Sequence, residues 1–412
     1  MTVPDLRAEA AIRDRRLVER LDTIVPALME EAEVDAWVVA GREYNEDPVL
    51  STMLPATWLA ARRRTVLVFT DRGRTRRAVT RYAVGEAFPA AWDPDVEPDQ
   101  WAAVASILHA AGPATIAVNV SPAIALADGL SASEMDAFGH ALGADLLERV
   151  VPGDALAVGW LETRLPGEIE SLGDACRIAH GLLARALSAE VVDPGSTTTD
   201  DVVWWLRERV REAGLSSWFH PTVSVQRRGG TPPGSFASAP PAVVIEPGDL
   251  AHVDFGLVYL GLHTDQQQHA YVLRPGEGAP PDGLREALAR ANRVQDLLLA
   301  EFASGRTGNE ILRAALGAAR AEGLRPSIYT HPIGVHGHAA GPAIGLWDRQ
   351  DGVPGGGDLP VRPWTAWSIE LSATTSVDGW GDVRIMLEEE AVFDGERMAW
   401  VDDRQTTFHV VG

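Results

Sequence analysis

A single cysteine, Cys176, in 412 residues excludes an intramolecular disulfide and any site built on several thiolates. It lies in a helical stretch and reads as a buried thiol rather than a nucleophile. Positive charge is scarce as well: 36 Lys and Arg against 58 Asp and Glu give a formal net charge of −22. That balance argues against a nucleic-acid or anionic-membrane partner. No apolar run reaches the roughly 18 residues of a membrane span. The first thirty residues are charged and lack the apolar region of a signal peptide, so a cytoplasmic protein is expected. No tandem repeat at a solenoid period is visible. The glycine-rich VPGGGD at 353–358 is not followed by the Lys-Ser or Lys-Thr of a phosphate loop and reads as a flexible loop. What remains is a globular composition, 46% hydrophobic and 23% charged, long enough for two domains.

Residues 1–155 read as an α/β unit. Helical apolar spacing over 14–32 precedes short β-branched runs at 35–41, 64–70 and 114–120, with a helical segment at 99–112. Ser131 with Glu134 has the spacing of a capping box. Such alternation predicts a small sheet covered by helices. Residues 156–412 read as a second, α+β domain. Helices are expected at 167–190, after a cap at Thr199, at 283–303 and at 308–322, the last opened by Thr307 and Glu310. Strands are expected at 218–273 and 327–412. The order helices, strands, helices, strands implies an internal pseudo-repeat.

The chemistry concentrates in this second half. HVDFGLVYLGLHTD (252–265) places Asp254 and Asp265 in a stretch that otherwise reads as buried strand. Burying a carboxylate costs several kcal/mol unless something compensates it. A hairpin turning at Tyr259–Leu260 sets the two aspartates opposite each other, about 4.5–5.5 Å apart at Cβ. Carboxylates that close repel unless they share a proton or a cation, and a pair of divalent ions fits the spacing. Downstream, THPIGVHGHAAGP (330–342) holds three histidines, SIELS (368–372) places Glu370 in an apolar strand, and VRIMLEEEAVF (383–393) places Glu388 at the end of another. Oxygen ligands with one imidazole suit Mn, Co, Fe or Zn, and the lack of nearby thiolates disfavours structural zinc.

Taken in order, Asp, a second Asp eleven residues on, His-x-x-Gly, Ile-Glu and a final strand Glu resemble the pita-bread metallopeptidases: aminopeptidase P, prolidase, methionine aminopeptidase and their metal-free relative creatinase. TRLPGEIESLGDACRIA (163–179) is similar to the family's first helix of the catalytic domain. The resemblance implies a creatinase-like α/β N-terminal domain and a pita-bread C-terminal domain with a pseudo-two-fold repeat. It implies Asp254, Asp265, His331, Glu370 and Glu388 as ligands of two divalent ions, with manganese the first expectation. Asp265 and Glu388 then bridge both ions, Asp254 completes one position, and His331 with Glu370 completes the other. Activated water would attack a carbonyl carbon, Glu370 would pass its proton to the leaving nitrogen, and His338 would bond the substrate or the oxyanion. Arg384 would orient Glu388. A small peptide substrate and a homodimer are further expectations of the resemblance.

The sequence also departs from the family pattern. About seventeen residues before the first aspartate, where the peptidases carry a substrate-binding histidine, it reads SFASAPP; His220 is the candidate substitute. Ala339 stands where a Glu usually follows His338, Leu371 where a Pro follows Ile-Glu, and Gln-Gln-Gln follows Asp265 where Arg or Thr is common. His269 and His336 have no role in the pattern and read as surface or supporting groups. Trp347, Trp364, Trp367 and Trp380 read as packing or as the wall of a substrate pocket. Three functions follow: a dinuclear hydrolase cleaving the C–N bond at Xaa-Pro, as aminopeptidase or dipeptidase; a relative with altered chemistry, such as a creatinase-like amidinohydrolase, a lyase or a tailoring enzyme on a non-peptide metabolite; or a non-catalytic binding module.

Overall fold

The computed structural model describes residues 3–230 and 241–412. The SFASAPP stretch, up to Pro240, lies outside the described residues. The chain divides into two compact units, Pro4–Leu165 and, with Val3, Pro166–Gly412.

In the first unit α1 (Leu6–Glu31) leads into β1 (Ala36–Arg42), followed by α2 (Pro48–Met53), β2 (Arg64–Thr70), β3 (Thr75–Ala78), α3 (Gln100–Ala111), β4 (Ile116–Val118), α4 (Ala132–Leu147), β5 (Val150–Pro152) and α5 (Asp154–Glu162). The strands form one mixed sheet in the order β3-β2-β1-β4-β5. Its three central strands are the apolar runs of the sequence, and Val38, Val66, Val68, Ile116 and Val118 pack on Trp101, Phe138 and Leu142 of α3 and α4. Helix α5 packs on α1, which places residues 156–162 in this unit rather than the second. At the start of α4, Ser131 makes no side-chain cap. Glu134 is instead buried, bound by Arg64 at 2.7 Å and by the Trp101 indole at 3.0 Å: a buried charge with two strong donors outweighs a cap.

The second unit shows the repeat. Helices α6 (Pro166–Ala186) and α7 (Thr199–Glu212) precede β6 (Thr222–Gln226), β7 (Leu250–Phe255), the two-residue strands β8 (Val258–Tyr259) and β9 (Leu262–His263), and β10 (Gln266–Val272). Helices α8 (Asp282–Leu299) and α9 (Gly308–Ala321) then precede β11 (Pro326–Ile328), β12 (His331–Pro332), β13 (Thr365–Ser368), β14 (Leu371–Val377), β15 (Gly381–Leu387), β16 (Glu390–Phe393), β17 (Met398–Trp400) and β18 (His409–Val411). β6-β7-β10 and β11-β14-β15 are antiparallel triplets of like order, each following a helix pair; β18 extends the first sheet, parallel to β10. α7 and α9 both start with a complete capping box, Thr198 with Asp201 and Thr307 with Glu310; the cap of α7 is thus Thr198, one residue before the expected Thr199. The 353–358 loop is held by Asn309, whose amide bonds Val353 O at 3.1 Å and Asp358 Oδ1 at 2.8 Å.

Candidate metal centre

The hairpin that carries the two aspartates turns one residue later than its sequence suggests. Val258 pairs with His263 and Tyr259 with Leu262, leaving Leu260 and Gly261 as the loop. Both take positive φ, 52° and 79°, the requirement of a type I′ turn, which matches strand twist and favours glycine at its second position. Asp254 therefore faces Gln267, not Asp265. The two aspartates remain on one face as diagonal neighbours, because side chains alternate with period two.

Glu370 and Glu388 come from the other half of the repeat, each at the end of a strand. Leu371 pairs with Leu387, and Thr365 with Phe393, in one continuous register. That register sets Glu370 opposite Glu388. His331 pairs with Ser368, whose hydroxyl donates to Glu388 Oε1 at 2.6 Å. A bridge between Gln267 and Glu388 stitches the two halves together at this point.

The five predicted ligands converge. Ligand atoms of Asp254, Asp265 and Glu388 lie within 4.8 Å of one another, as do those of His331, Glu370 and Glu388, and of Asp265, His331 and His338. Asp265, His331 and Glu388 each belong to two of these groups. Burial, then the charge of Glu388, holds the carboxyls of Asp254, Asp265 and Glu370 well above the ordinary carboxylate range. Asp254 Oδ1, Asp265 Oδ1 and His331 Nε2 are buried with no hydrogen-bond partner. His331 Nδ1 lies 3.0 Å from Pro332 O, so Nδ1 carries the hydrogen and the lone pair of Nε2 points into the cluster, the tautomer a metal ligand needs. Unpartnered buried acceptors of this kind fit divalent cations, and the donor set of carboxylates with one imidazole suits Mn²⁺ among them.

His338 lies over the cluster with one edge open to solvent. Its ring is 4.7 Å from His331 and 5.4 Å from Trp218, centre to centre. Desolvation, then the neighbouring His331, pushes it down to about 4, so it is neutral at pH 7. Gly337 is required here: a Cβ would fall 2.3 Å from the Trp218 ring. Beside Glu370 a narrow cleft is lined by Gln267, Tyr329, Trp347, Ser372, Arg384 and Met386. Arg384 donates to Ser372 Oγ at 3.0 Å, and its charge favours the ionised form of Glu370. Trp347 and Trp364 are exposed, whereas Trp367 and Trp380 belong to the hydrophobic core. His220 lies apart from the cluster, exposed and turned toward Arg207 (3.0 Å) and Trp204.

The three glutamines after Asp265, a departure from the family pattern with no role in the sequence, acquire one in the fold. Gln267 Nε2 donates to Glu370 Oε1 at 2.9 Å and Glu388 Oε2 at 2.6 Å. On the opposite face Gln266 donates to Glu390 Oε2 at 2.6 Å and Gln268 to Glu389 Oε1 at 2.7 Å. Three consecutive amides thus match three consecutive carboxylates. The signal was a Gln run and a Glu run in one sequence, both inside apolar strands. Behind them His180 bridges Glu389 (2.6 Å) and Asp402 (2.8 Å). The Cys176 thiol meets Glu390 at 3.4 Å and is pushed up by burial, as an inert thiol should be. His269 is fully buried against Met386, not at the surface.

Fold and centre together define a pita-bread protein with an N-terminal α/β domain. The chain belongs to metallopeptidase family M24, whose model matches residues 170–388. The family implies hydrolysis with a divalent metal. Among solved structures the fold is similar to an X-Pro aminopeptidase from Thermotoga maritima, with 18% identity, TM-score 0.67, and 93% of this chain and 100% of that chain covered. It is similar also to an Xaa-Pro dipeptidase from Bacillus anthracis (19%, TM-score 0.66, 96% and 99%) and to dipeptidase PepE from Mycobacterium ulcerans (20%, TM-score 0.64, 97% and 98%). No curated protein sequence matches. No helix among the described residues is long and apolar enough to cross a membrane.

Proposed function

We propose that the chain is a dinuclear metallopeptidase acting at Xaa-Pro bonds, removing an N-terminal residue or splitting a dipeptide. The observation that carries this reading is the pair of ligand groups sharing Glu388, with three buried ligand atoms left unpartnered. Asp254 with Asp265 and Glu388 would hold one ion; His331 with Glu370 and Glu388 would hold the other. Bound divalent ions, manganese foremost, supply an activated water and a Lewis acid for the scissile carbonyl.

The chain's own groups do the rest. Glu370, buried between the ligand cluster and the narrow cleft, is the group that carries a proton to the leaving nitrogen. Neutral His338 at the open edge donates a hydrogen bond to the substrate oxygen. Trp218 and Tyr329 flank His338 and limit the size of the group beside it. The acidic composition fits a small substrate and no nucleic-acid partner; a cytoplasmic homodimer completes the proposal. The aromatic wall at Trp218 also favours a second reading, the same C–N cleavage on a small non-peptide amide.

The test is an activity panel. Metal-stripped protein is reloaded with Mn²⁺, Co²⁺ or Zn²⁺ and offered Xaa-Pro dipeptides, longer Xaa-Pro peptides and guanidino-type amides. Metal-dependent release of the residue before proline supports the peptidase; turnover confined to the non-peptide amides supports the second reading. Inertness toward the whole panel with every metal overturns both.

A further inference from the structure

We propose that Gln267, itself held by His252, is a positioning residue of the metal centre: its amide fixes Glu370 and Glu388 and thereby sets the affinity of the His331–Glu370–Glu388 group for its ion. The inference rests on the dinuclear reading above and assigns a role to a residue outside the ligand set.

The three bonds of this amide determine its orientation. Its nitrogen lies 2.9 Å from Glu370 Oε1 and 2.6 Å from Glu388 Oε2, and its oxygen lies 3.0 Å from His252 Nε2. Turned the other way, the oxygen would face two carboxylate oxygens and repel both. Both amide hydrogens are therefore committed to the two glutamates, and His252 donates its Nε2 hydrogen to the amide oxygen. His252 is 4% exposed, with its ring 4.9 Å from that of His269, centre to centre. The backbone adds a further constraint: Gln267 N donates to Glu388 O at 3.0 Å. Side chain and main chain thus fix the same ligand.

The choice of an amide has a physical reason. Two buried carboxylates need donors, yet a Lys or Arg at this position would add a permanent positive charge beside the cation site and oppose metal binding. An amide supplies two hydrogens without net charge. Asp254, the cross-strand partner of Gln267, and Asp265 receive no bond from this amide. The effect accordingly falls mainly on the group that contains Glu370. Ser368 secures the other oxygen of Glu388 independently.

The experiment is calorimetric titration of the metal-stripped full chain with Mn²⁺, with Co²⁺ absorption reporting the ligand field. Gln267→Met keeps the length of the side chain and removes both donors; it should weaken the ion of the Glu370 group by about 10–100-fold, the range for lost supporting hydrogen bonds, and the other ion, which shares only Glu388, by less. His252→Leu should weaken the same ion, and the double variant should be no worse than Gln267→Met alone. Gln268→Met removes another buried amide, on the opposite face, so it controls for damage to the strand and should bind both ions as the wild type does. Wild-type affinity for both ions in Gln267→Met overturns the inference, as does an equal loss in Gln268→Met. A wild-type chain that takes up no divalent ion overturns the dinuclear reading and this inference with it; two ions in the wild type and no change in the variant overturn this inference alone.

Discussion

Removing the metal should loosen the second unit by a calculable amount. With no ion present, Asp254 Oδ1, Asp265 Oδ1 and His331 Nε2 are buried polar atoms that make no hydrogen bond, although His331 Nε2 lies 3.4 Å from Glu388 Oε1. Each such atom costs about 1–3 kcal/mol, so three cost about 3 kcal/mol even at the low end. One ion at a little over 100 times its Kd contributes the same amount by mass action. For a unit the size of Pro166–Gly412, a change of 1 kcal/mol moves Tm by roughly 2–4 °C. Chelation should therefore lower the transition of this unit by roughly 6–12 °C, and added Mn²⁺ should restore it. Differential scanning calorimetry of the full chain, with and without chelator, reads this directly. Transitions that coincide within about 1 °C, in protein shown by elemental analysis to have lost its metal, would refute the argument that cations compensate this cluster.

Two further outcomes concern single residues. Asp47 is fully buried, and burial raises it from 3.8 to about 6 against the bonds from Leu50 N and the Asn119 amide. The folded form keeps a proton that the unfolded form releases, so the contribution is complete below about pH 4 and is lost as pH rises through about 6. Two pKa units correspond to about 3 kcal/mol; urea unfolding between pH 4 and 7 should show this loss, and Asp47→Asn should flatten it. His338→Phe should lower kcat by about 10²-fold, the size of one lost oxyanion donor, with the metal content measured by elemental analysis unchanged.

The candidate ligands were legible through their order, which resembles the family pattern, and the fold brings their side chains together; apolar placement alone marked only isolated carboxylates. The capping box at Thr307 was legible for a similarly local reason. The hairpin register was not. Leu260 at φ 52° gives no sequence signal for a type I′ turn, and a one-residue shift of the turn moves the pairing from Asp265 to Gln267. The match of Gln266, Gln267 and Gln268 to Glu390, Glu388 and Glu389 was hidden because it joins strands about 120 residues apart. Sequence spacing reports neighbours along a strand, not partners across the seam of a repeat. Glu134 shows the opposite failure: its local capping signal is genuine, but burial beside Arg64 and Trp101 takes it elsewhere.

The proposed function requires two cations among residues 254, 265, 331, 370 and 388. Anomalous diffraction from crystals grown with Mn²⁺ tests it most directly. The account predicts two anomalous peaks per chain, roughly 3.5–4 Å apart as in other two-metal sites, with Glu388 touching both. No peak at these residues, at Mn²⁺ concentrations that saturate the protein in solution, would contradict it.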